Sequence, residues 1–177
     1  MARKSRLSNA CREQISSTRT IHIGDFILKG EVYKLREALL LLNSENKEYI
    51  GIVFNDCVGG DLGCGLMMYK DLIFSKAPII GFVEKQASST ASIVLQGCHK
   101  KLASSEAEFF LHYPYKGKDC ELSDAEFLAQ QDEALRIYSW AMKKPVAEVK
   151  QLLDQKKTLS AKEAIKWKLV HEIHDPK

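Results

Sequence analysis

The chain reads as one α/β domain built around a mostly parallel sheet, and three observations predict this. Its hydrophobic spacing switches repeatedly between the alternation of a strand and the three-and-four spacing of a helix, the pattern that βαβ crossovers produce. Turn-forming residues fall at the switches. Finally, 177 residues that are 45% hydrophobic and 28% charged suffice for one core, and no internal repeat or linker-like stretch divides them. Crossovers of this kind are right-handed.

Taken in order, Thr20–Leu28 reads as a strand closed by Gly30. Val32, Leu35, Ala38, Leu39 and Leu42 then make one face of an amphipathic helix. Tyr49–Phe54 is a short β-rich run bounded by the turn-forming Asn55-Asp56 and Gly59-Gly60. Leu62, Leu66, Tyr69, Leu72 and Ile73 restore the helical period, Pro78 interrupts it, and Ile79–Val83 is a third strand. Small residues from Ala87 to Ser92 lead into Ile93-Val94-Leu95, on a helix ending near Gly97. Short strands follow at Lys101–Ala103 and Glu108–Leu111. A long helix runs from about Ser123 to Lys143, with Glu126 at capping-box spacing from Ser123. Two shorter helices, Val146–Leu153 and Ala161–Lys168, complete the chain, the second capped by Ser160.

Charge narrows the function. The net charge is +3, but Arg3, Lys4, Arg6, Arg12 and Arg19 stand against Glu13 alone in the first nineteen residues. The remainder therefore has no basic surplus, whereas a nucleic-acid module concentrates its cations on the folded body. No nucleic-acid partner is predicted. Residues 1–19 are expected to be a mobile basic tail ahead of a single domain over 20–177. The densest apolar run, Ala38–Leu42, falls far short of the roughly 18 residues of a membrane span. No apolar segment follows the basic start as a secretory signal requires, so a cytoplasmic protein without membrane contact is expected. Cys11, Cys57, Cys64, Cys98 and Cys120 form no C-x-x-C pair and predict free thiols. His171 and His174 lie in a polar stretch without an H-E-x-x-H motif, and no metal site is predicted.

Three features carry chemistry. Gly59-Gly60 stands at a strand-to-helix turn, where paired glycines let backbone N–H groups face an anion or oxyanion without Cβ obstruction. Gln86-Ala87-Ser88-Ser89-Thr90-Ala91 follows a buried strand and opens a helix, a place for a nucleophilic hydroxyl, although position alone favours Ser88 and Ser89 as N-caps. His112 ends the strand Glu108–Leu111 at the mouth of the sheet. A lone histidine there is usually a packed residue. Together, however, the three supply oxyanion donors, a nucleophile and a general base, the parts of acyl transfer.

In order and spacing these pieces resemble the ClpP family, the proteolytic subunit of the Clp protease, whose ClpP/crotonase fold repeats β-β-α and βαβ units. The family's polar-Pro-Gly-Gly turn and following helix resemble Cys57-Val58-Gly59-Gly60 through Tyr69. Its Gly-Gln-Ala-Ala-Ser-Met-Gly motif resembles Lys85 through Ala91, and its Ile-His-Gln-Pro resembles Leu111-His112-Tyr113-Pro114. Its late Leu-Ser-Ala-x-Glu-Ala…Gly-Leu-Val segment resembles Leu159 through Ala164 and Lys168-Leu169-Val170. The likeness spans about residues 20–174. It implies a serine endopeptidase in which Ser89 is the nucleophile, His112 the base, and the N–H groups of Gly60 and Thr90 the oxyanion hole. It further implies an extended peptide or unfolded-protein substrate along Gly59, Gly60, Asp61 and Leu62, by strand addition. A homo-oligomeric ring, with an ATPase unfoldase as a further partner, and no cofactor or metal complete the implied picture.

Departures matter equally. Lys156 stands where the family has its catalytic Asp, and Asp154, the nearest acid, reaches that slot only with a two-residue shift. Val146 and Val149 match the family without a gap, which favours Lys156. Lys85 and Val58 replace a glycine and a proline, Tyr115–Cys120 replaces a glycine-rich stretch, and residues 1–19 show no axial-loop pattern. Two alternatives follow. One is a catalytically weak or inactive ring subunit serving as an assembly partner. The other, less favoured, is a crotonase-type acyl-CoA enzyme, whose acid/base carboxylates would have to be Glu84 or Asp61. Subunit contacts are expected from apolar surplus at Leu62, Leu66, Met67, Met68 and Tyr69, and at Ile137, Tyr138, Trp140, Ala141 and Met142.

Overall fold

The computed structural model describes residues 19–118 and 120–175. The tail expected at 1–19 therefore lies outside the described residues except for Arg19, whose guanidinium bonds Glu45 at 3.0 Å and the Leu42 carbonyl at 3.1 Å. In chain order the elements are β1 Thr20–Ile23, β2 Phe26–Ile27, α1 Lys29–Glu45, β3 Ile50–Cys57, β4 Gly59–Gly60, α2 Leu62–Ile73, β5 Ile79–Ala87, α3 Thr90–Leu95, β6 Lys100–Ala103, β7 Glu108–Leu111, α4 Asp124–Met142, α5 Val146–Asp154, β8 Lys157–Ser160, α6 Ala161–Lys166 and β9 Glu172–Ile173.

β1, β3, β5, β6 and β9 lie side by side in that order, every pairing parallel. β7 joins the far end of β5 through Gln86 and Glu108 and carries β8 antiparallel to itself. The expected α/β architecture with a mostly parallel sheet is what the chain adopts. Ile50, Ile52 and Phe54 on β3 and Ile79 and Val83 on β5 turn one face of the sheet into the core. Gly81 lets α3 lie directly on that face, because a Cβ there would stand 2.8 Å from Leu95 and Cys98. Helix starts follow local chemistry: Asp61 accepts from the Cys64 N–H at 2.7 Å, and Ser123/Glu126 and Ser160/Glu163 both form capping boxes. Among the described residues no helix is long and apolar enough to cross a membrane.

The structure corrects several expectations. Thr20–Leu28 is not one strand, because Asp25 at φ 47° turns the chain. Phe26–Ile27 thus leaves the sheet and pairs with Gly59–Gly60 in a two-stranded ribbon. Gly30 sits in the first turn of α1. Asn55 and Asp56 form no turn but belong to β3, at a register shift. Most of the apolar surplus is consumed inside the chain. α2 is packed between α1, α3 and α4, so Leu62, Leu66 and Met68 are buried, as are Ile137, Tyr138, Ala141 and Met142. Of those ten residues only Met67 and Trp140 stay exposed; exposed apolar side chains elsewhere include Phe26, Leu28, Tyr33 and Leu40, on and beside β2 and α1, and Phe74 and Tyr115.

Candidate active site

Two glycines build the floor of the site. At Gly59, φ is +99° and a Cβ would stand 2.8 Å from the Ser88 carbonyl oxygen and 2.9 Å from the Thr90 nitrogen. At Gly60 it would stand 2.3 Å from the Ile27 carbonyl oxygen. Both positions exclude any side chain, and the absence of one brings the β4 backbone against the Ser88-Ser89-Thr90 turn. Thr90 locks the arrangement by donating its hydroxyl to the Gly60 carbonyl at 3.0 Å. As the first residue of α3, Thr90 has an N–H with no acceptor inside the helix.

The turn distinguishes the two serines. Ser88 is buried, donates its N–H to the Cys57 carbonyl at 2.9 Å, and accepts the Phe110 N–H on its hydroxyl at 3.0 Å. It is a clasp between β5 and β7. Ser89 occupies φ 50°, ψ −126°, a backbone state that costs a non-glycine residue about 1–3 kcal/mol and persists only where its surroundings impose it. Its N–H is held by the Phe110 carbonyl at 2.7 Å. Its hydroxyl makes no capping bond, so the N-cap alternative does not describe it.

The Ser89 carbonyl is clamped from behind by residues that sequence reasoning missed. Ser92 donates its hydroxyl to that oxygen at 2.6 Å, and the Tyr138 hydroxyl lies 2.6 Å from Ser92 Oγ. With the Ser92 proton engaged, Tyr138 is the donor of the pair. Burial pushes the Tyr138 phenol well above its ordinary range, so it keeps that proton. The seam continues: Gln96 Nε2 donates to the Ser92 carbonyl at 2.9 Å, and the buried Lys101 Nζ donates to Gln96 Oε1 at 3.0 Å. Ser92 stands one helical turn beyond Ser89, a detectable spacing; nothing local announces Tyr138 or Lys101.

His112 faces the same cleft, a cavity of about 590 Å³ that also holds Gly59, Gly60, Asp61, Leu62, Ser89 and Thr90. Its Nδ1 lies 2.7 Å from the Tyr113 carbonyl oxygen. A carbonyl only accepts, so Nδ1 carries the proton and Nε2 presents a lone pair. Phe110 and Tyr115 hold the ring, with centroids 5.3 and 5.7 Å away. No hydrogen bond joins the Ser89 hydroxyl to the imidazole. Phe26, Leu28, Phe110, Tyr115, Leu122 and Phe127 supply apolar walls. Asp61, the one acid among the described lining residues, is engaged in capping α2.

Asp154 and Lys156 do not line the cleft. Asp154 is the exposed last residue of α5, and no hydrogen bond joins it to His112. Lys156, at φ 48°, is exposed in the turn that follows. β8 pairs Lys157 with Leu111, so one further step along the ladder brings Lys156, and not Asp154, level with His112.

A parallel α/β sheet presenting a strained serine and a histidine over a glycine ledge is the arrangement of the ClpP fold. The chain belongs to the Clp protease family, which it matches over residues 3–177. It is 28% identical over 144 residues to the ATP-dependent Clp protease proteolytic subunit of Oltmannsiellopsis viridis, covering 76% of this chain and 73% of that one. It is 26% identical over 168 residues to proteolytic subunit 2 of Streptomyces avermitilis, covering 90% and 84%. Among solved structures, ClpP1 from Listeria monocytogenes superposes with a TM-score of 0.83 at 19% identity, over 95% of this chain and 97% of that one. At the level of family, the chain is a ClpP-like peptidase.

Proposed function

We propose that the cleft is a serine peptidase site acting on extended peptides. The observation that carries this reading is the Ser89 turn: a hydroxyl without a hydrogen-bond partner among the described residues, on a strained backbone, in one cleft with a histidine whose Nδ1 holds the proton and whose Nε2 can accept. Ser89 Oγ attacks the peptide carbonyl while His112 Nε2 takes its proton, and the oxyanion forms against the N–H groups of Gly60 and Thr90. The imidazolium returns the proton to the leaving amine, and water then hydrolyses the acyl-enzyme by the same route. Catalytic serine–histidine bonds are often long before substrate binds, which accommodates their separation here. The peptide lies along Gly59, Gly60, Asp61 and Leu62, held by its backbone and therefore with little sequence preference. The same reading makes the protein a cytoplasmic subunit of a homo-oligomeric ring that an ATPase unfoldase serves, with the apolar β2–α1 surface at subunit contacts.

One observation favours a slower or inactive ring subunit. The Tyr113 carbonyl sets the His112 tautomer, as a triad carboxylate does, but it brings no negative charge to balance the imidazolium. A fluorophosphonate probe separates the readings. Labelling that is lost in Ser89→Ala and kept in Ser88→Ala supports the peptidase. Unlabelled wild type supports the inactive subunit, and labelling that survives Ser89→Ala moves the nucleophile elsewhere. Ser88→Ala strands the Phe110 N–H and should cost about 1–3 kcal/mol of stability.

A further inference from the structure

A second cavity, of about 670 Å³, opens where the chain beyond α3, the strands β6 and β9 and the last turn of α4 meet. No carboxylate is among its described lining residues, whereas His99, Lys101, Lys143, Lys144 and His171 all are. The hydrogen bonds around it fix which ring nitrogen of each histidine carries the proton. His99 Nδ1 accepts the Ile79 N–H at 3.0 Å, and His171 Nδ1 accepts the Lys101 N–H at 3.2 Å. In each neutral ring the proton is therefore on Nε2, the nitrogen left over to donate. Lys143 holds the left-handed C-cap of α4 at φ 54°, and no ion pair engages it among the described residues. Lys144 pairs with Glu148 at 2.8 Å, outside the lining.

The acids nearby, Glu172 and Glu148, are each paired with a lysine. Glu172 adjoins His171 but pairs with Lys100 at 2.7 Å. Lys101 is buried with a neutral partner, Gln96, and burial lowers its affinity for a proton. Burial, and then the ammonium of Lys101, likewise hold His171 below its ordinary value; Glu172 opposes the shift, and Lys100 and Lys143 add to it. Beside these cations stands Trp140, a bulky indole 72% exposed although it lies next to the buried Ala141.

We propose that this cavity binds a small organic anion, a carboxylate or phosphate attached to a flat aromatic group. The anion meets the Nε2–H groups of His99 and His171 and the ammonium groups of Lys101 and Lys143, and the ring lies on Trp140. One multivalent anion can accept from several of these donors at once, and the indole supplies the stacking surface that a bare ion does not use. The site shares no lining residue with the Ser89 cleft and stands whether or not that cleft is catalytic.

Titration of the full chain with phenyl phosphate, benzoate, inorganic phosphate and benzyl alcohol tests this, with Trp140 fluorescence followed in a Trp167→Phe background. The expected result is a saturable change with phenyl phosphate or benzoate, the tighter of the two identifying the anion, and none with benzyl alcohol. Affinity should fall about tenfold in His171→Ala and again in Lys143→Asn, as expected for loss of one charge-assisted bond each; Asn tolerates the left-handed backbone. Proton NMR of the His171 ring in the unaltered chain reads the same event without the Trp167 change, and its titration should move to higher pH when anion is bound. Three results would overturn the proposal: no saturation with any anion, affinities indifferent to both substitutions, or benzyl alcohol binding as well as the anions. Equal affinity for inorganic and phenyl phosphate would remove the aromatic half of it.

Discussion

Replacing Asp154 by Asn distinguishes a carboxylate that supports His112 from one that merely ends a helix. Asp154 closes α5 and is exposed, at the end where the helix macrodipole is negative. Neutralising it relieves an unfavourable interaction of about 0.3–1 kcal/mol. For a chain of this size that raises Tm by roughly 1–4 °C. The catalytic side of the reasoning gives a far larger contrast. In the serine-protease triad, changing the carboxylate to an amide reverses the histidine tautomer and lowers kcat by about 10⁴, or about 5.4 kcal/mol. Here the Tyr113 carbonyl already occupies Nδ1 at 2.7 Å, so the side chain of Asp154 has no tautomer to set. Fluorophosphonate labelling and peptide hydrolysis by Asp154→Asn should therefore stay within about twofold of wild type, the range of an inert surface change. The assay pairs labelling rates with a thermal melt. A loss of about a hundredfold or more in a variant that melts normally would refute the reasoning, by showing that the segment before β8 moves and carries the carboxylate to His112.

Other substitutions probe the supports of the cleft. Gly59→Ala imposes left-handed strain of about 1–2 kcal/mol and forces a methyl against Ser88 and Thr90 for about 1–3 more, so denaturant titration should show a loss of roughly 2–5 kcal/mol together with slower labelling. Tyr138→Phe removes the donor behind Ser92 and should cost about 1–3 kcal/mol while slowing Ser89 labelling, because the clamp on the strained carbonyl loosens. Glu163 is held at about pKa 2 by the Lys157 ammonium and by the Ser160 backbone and hydroxyl, against an ordinary value of 4.5. Its stabilisation is present above pH 4.5 and lost as pH falls toward 2, so Glu163→Gln should lower the urea midpoint at neutral pH and flatten its decline between those two values.

Features settled by neighbours in sequence were legible before the structure. The long helix α4 starts where Ser123 and Glu126 place it, and α2 starts after Gly59-Gly60, since caps and glycine turns are local physics. β4, β8 and β9 were not readable: they are two to four residues long, partly polar, and exist only because β2, β7 and β6 provide partners. Gly59, Ser89 and His112 could be singled out because each carries a residue type and a position with chemical meaning. The choice of Ser89 over Ser88 came from the family resemblance and not from local chemistry; that Ser88 is committed to the Phe110 N–H shows only in the folded chain. Nor could the partner of His112 be read from any side chain, because it is a backbone carbonyl. Apolar content likewise did not reveal which faces stay exposed, for spacing along α2 does not show that three other helices cover it.

The close approaches at Gly59 and Gly60 also divide the cleft into a part that can evolve and a part that cannot. A methyl group on Gly60 would strike the main chain of Ile27, and one on Gly59 the main chain of Ser88 and Thr90. A wall made of peptide groups has no side chain to exchange, so point mutation cannot reshape it by degrees. Selectivity in this scaffold must drift through the outer ring of Phe26, Leu28, Phe110, Tyr115, Leu122 and Phe127, whose side chains vary independently of the floor. The glycine floor is thus demanded by the packing of the fold itself, whatever side chains surround it.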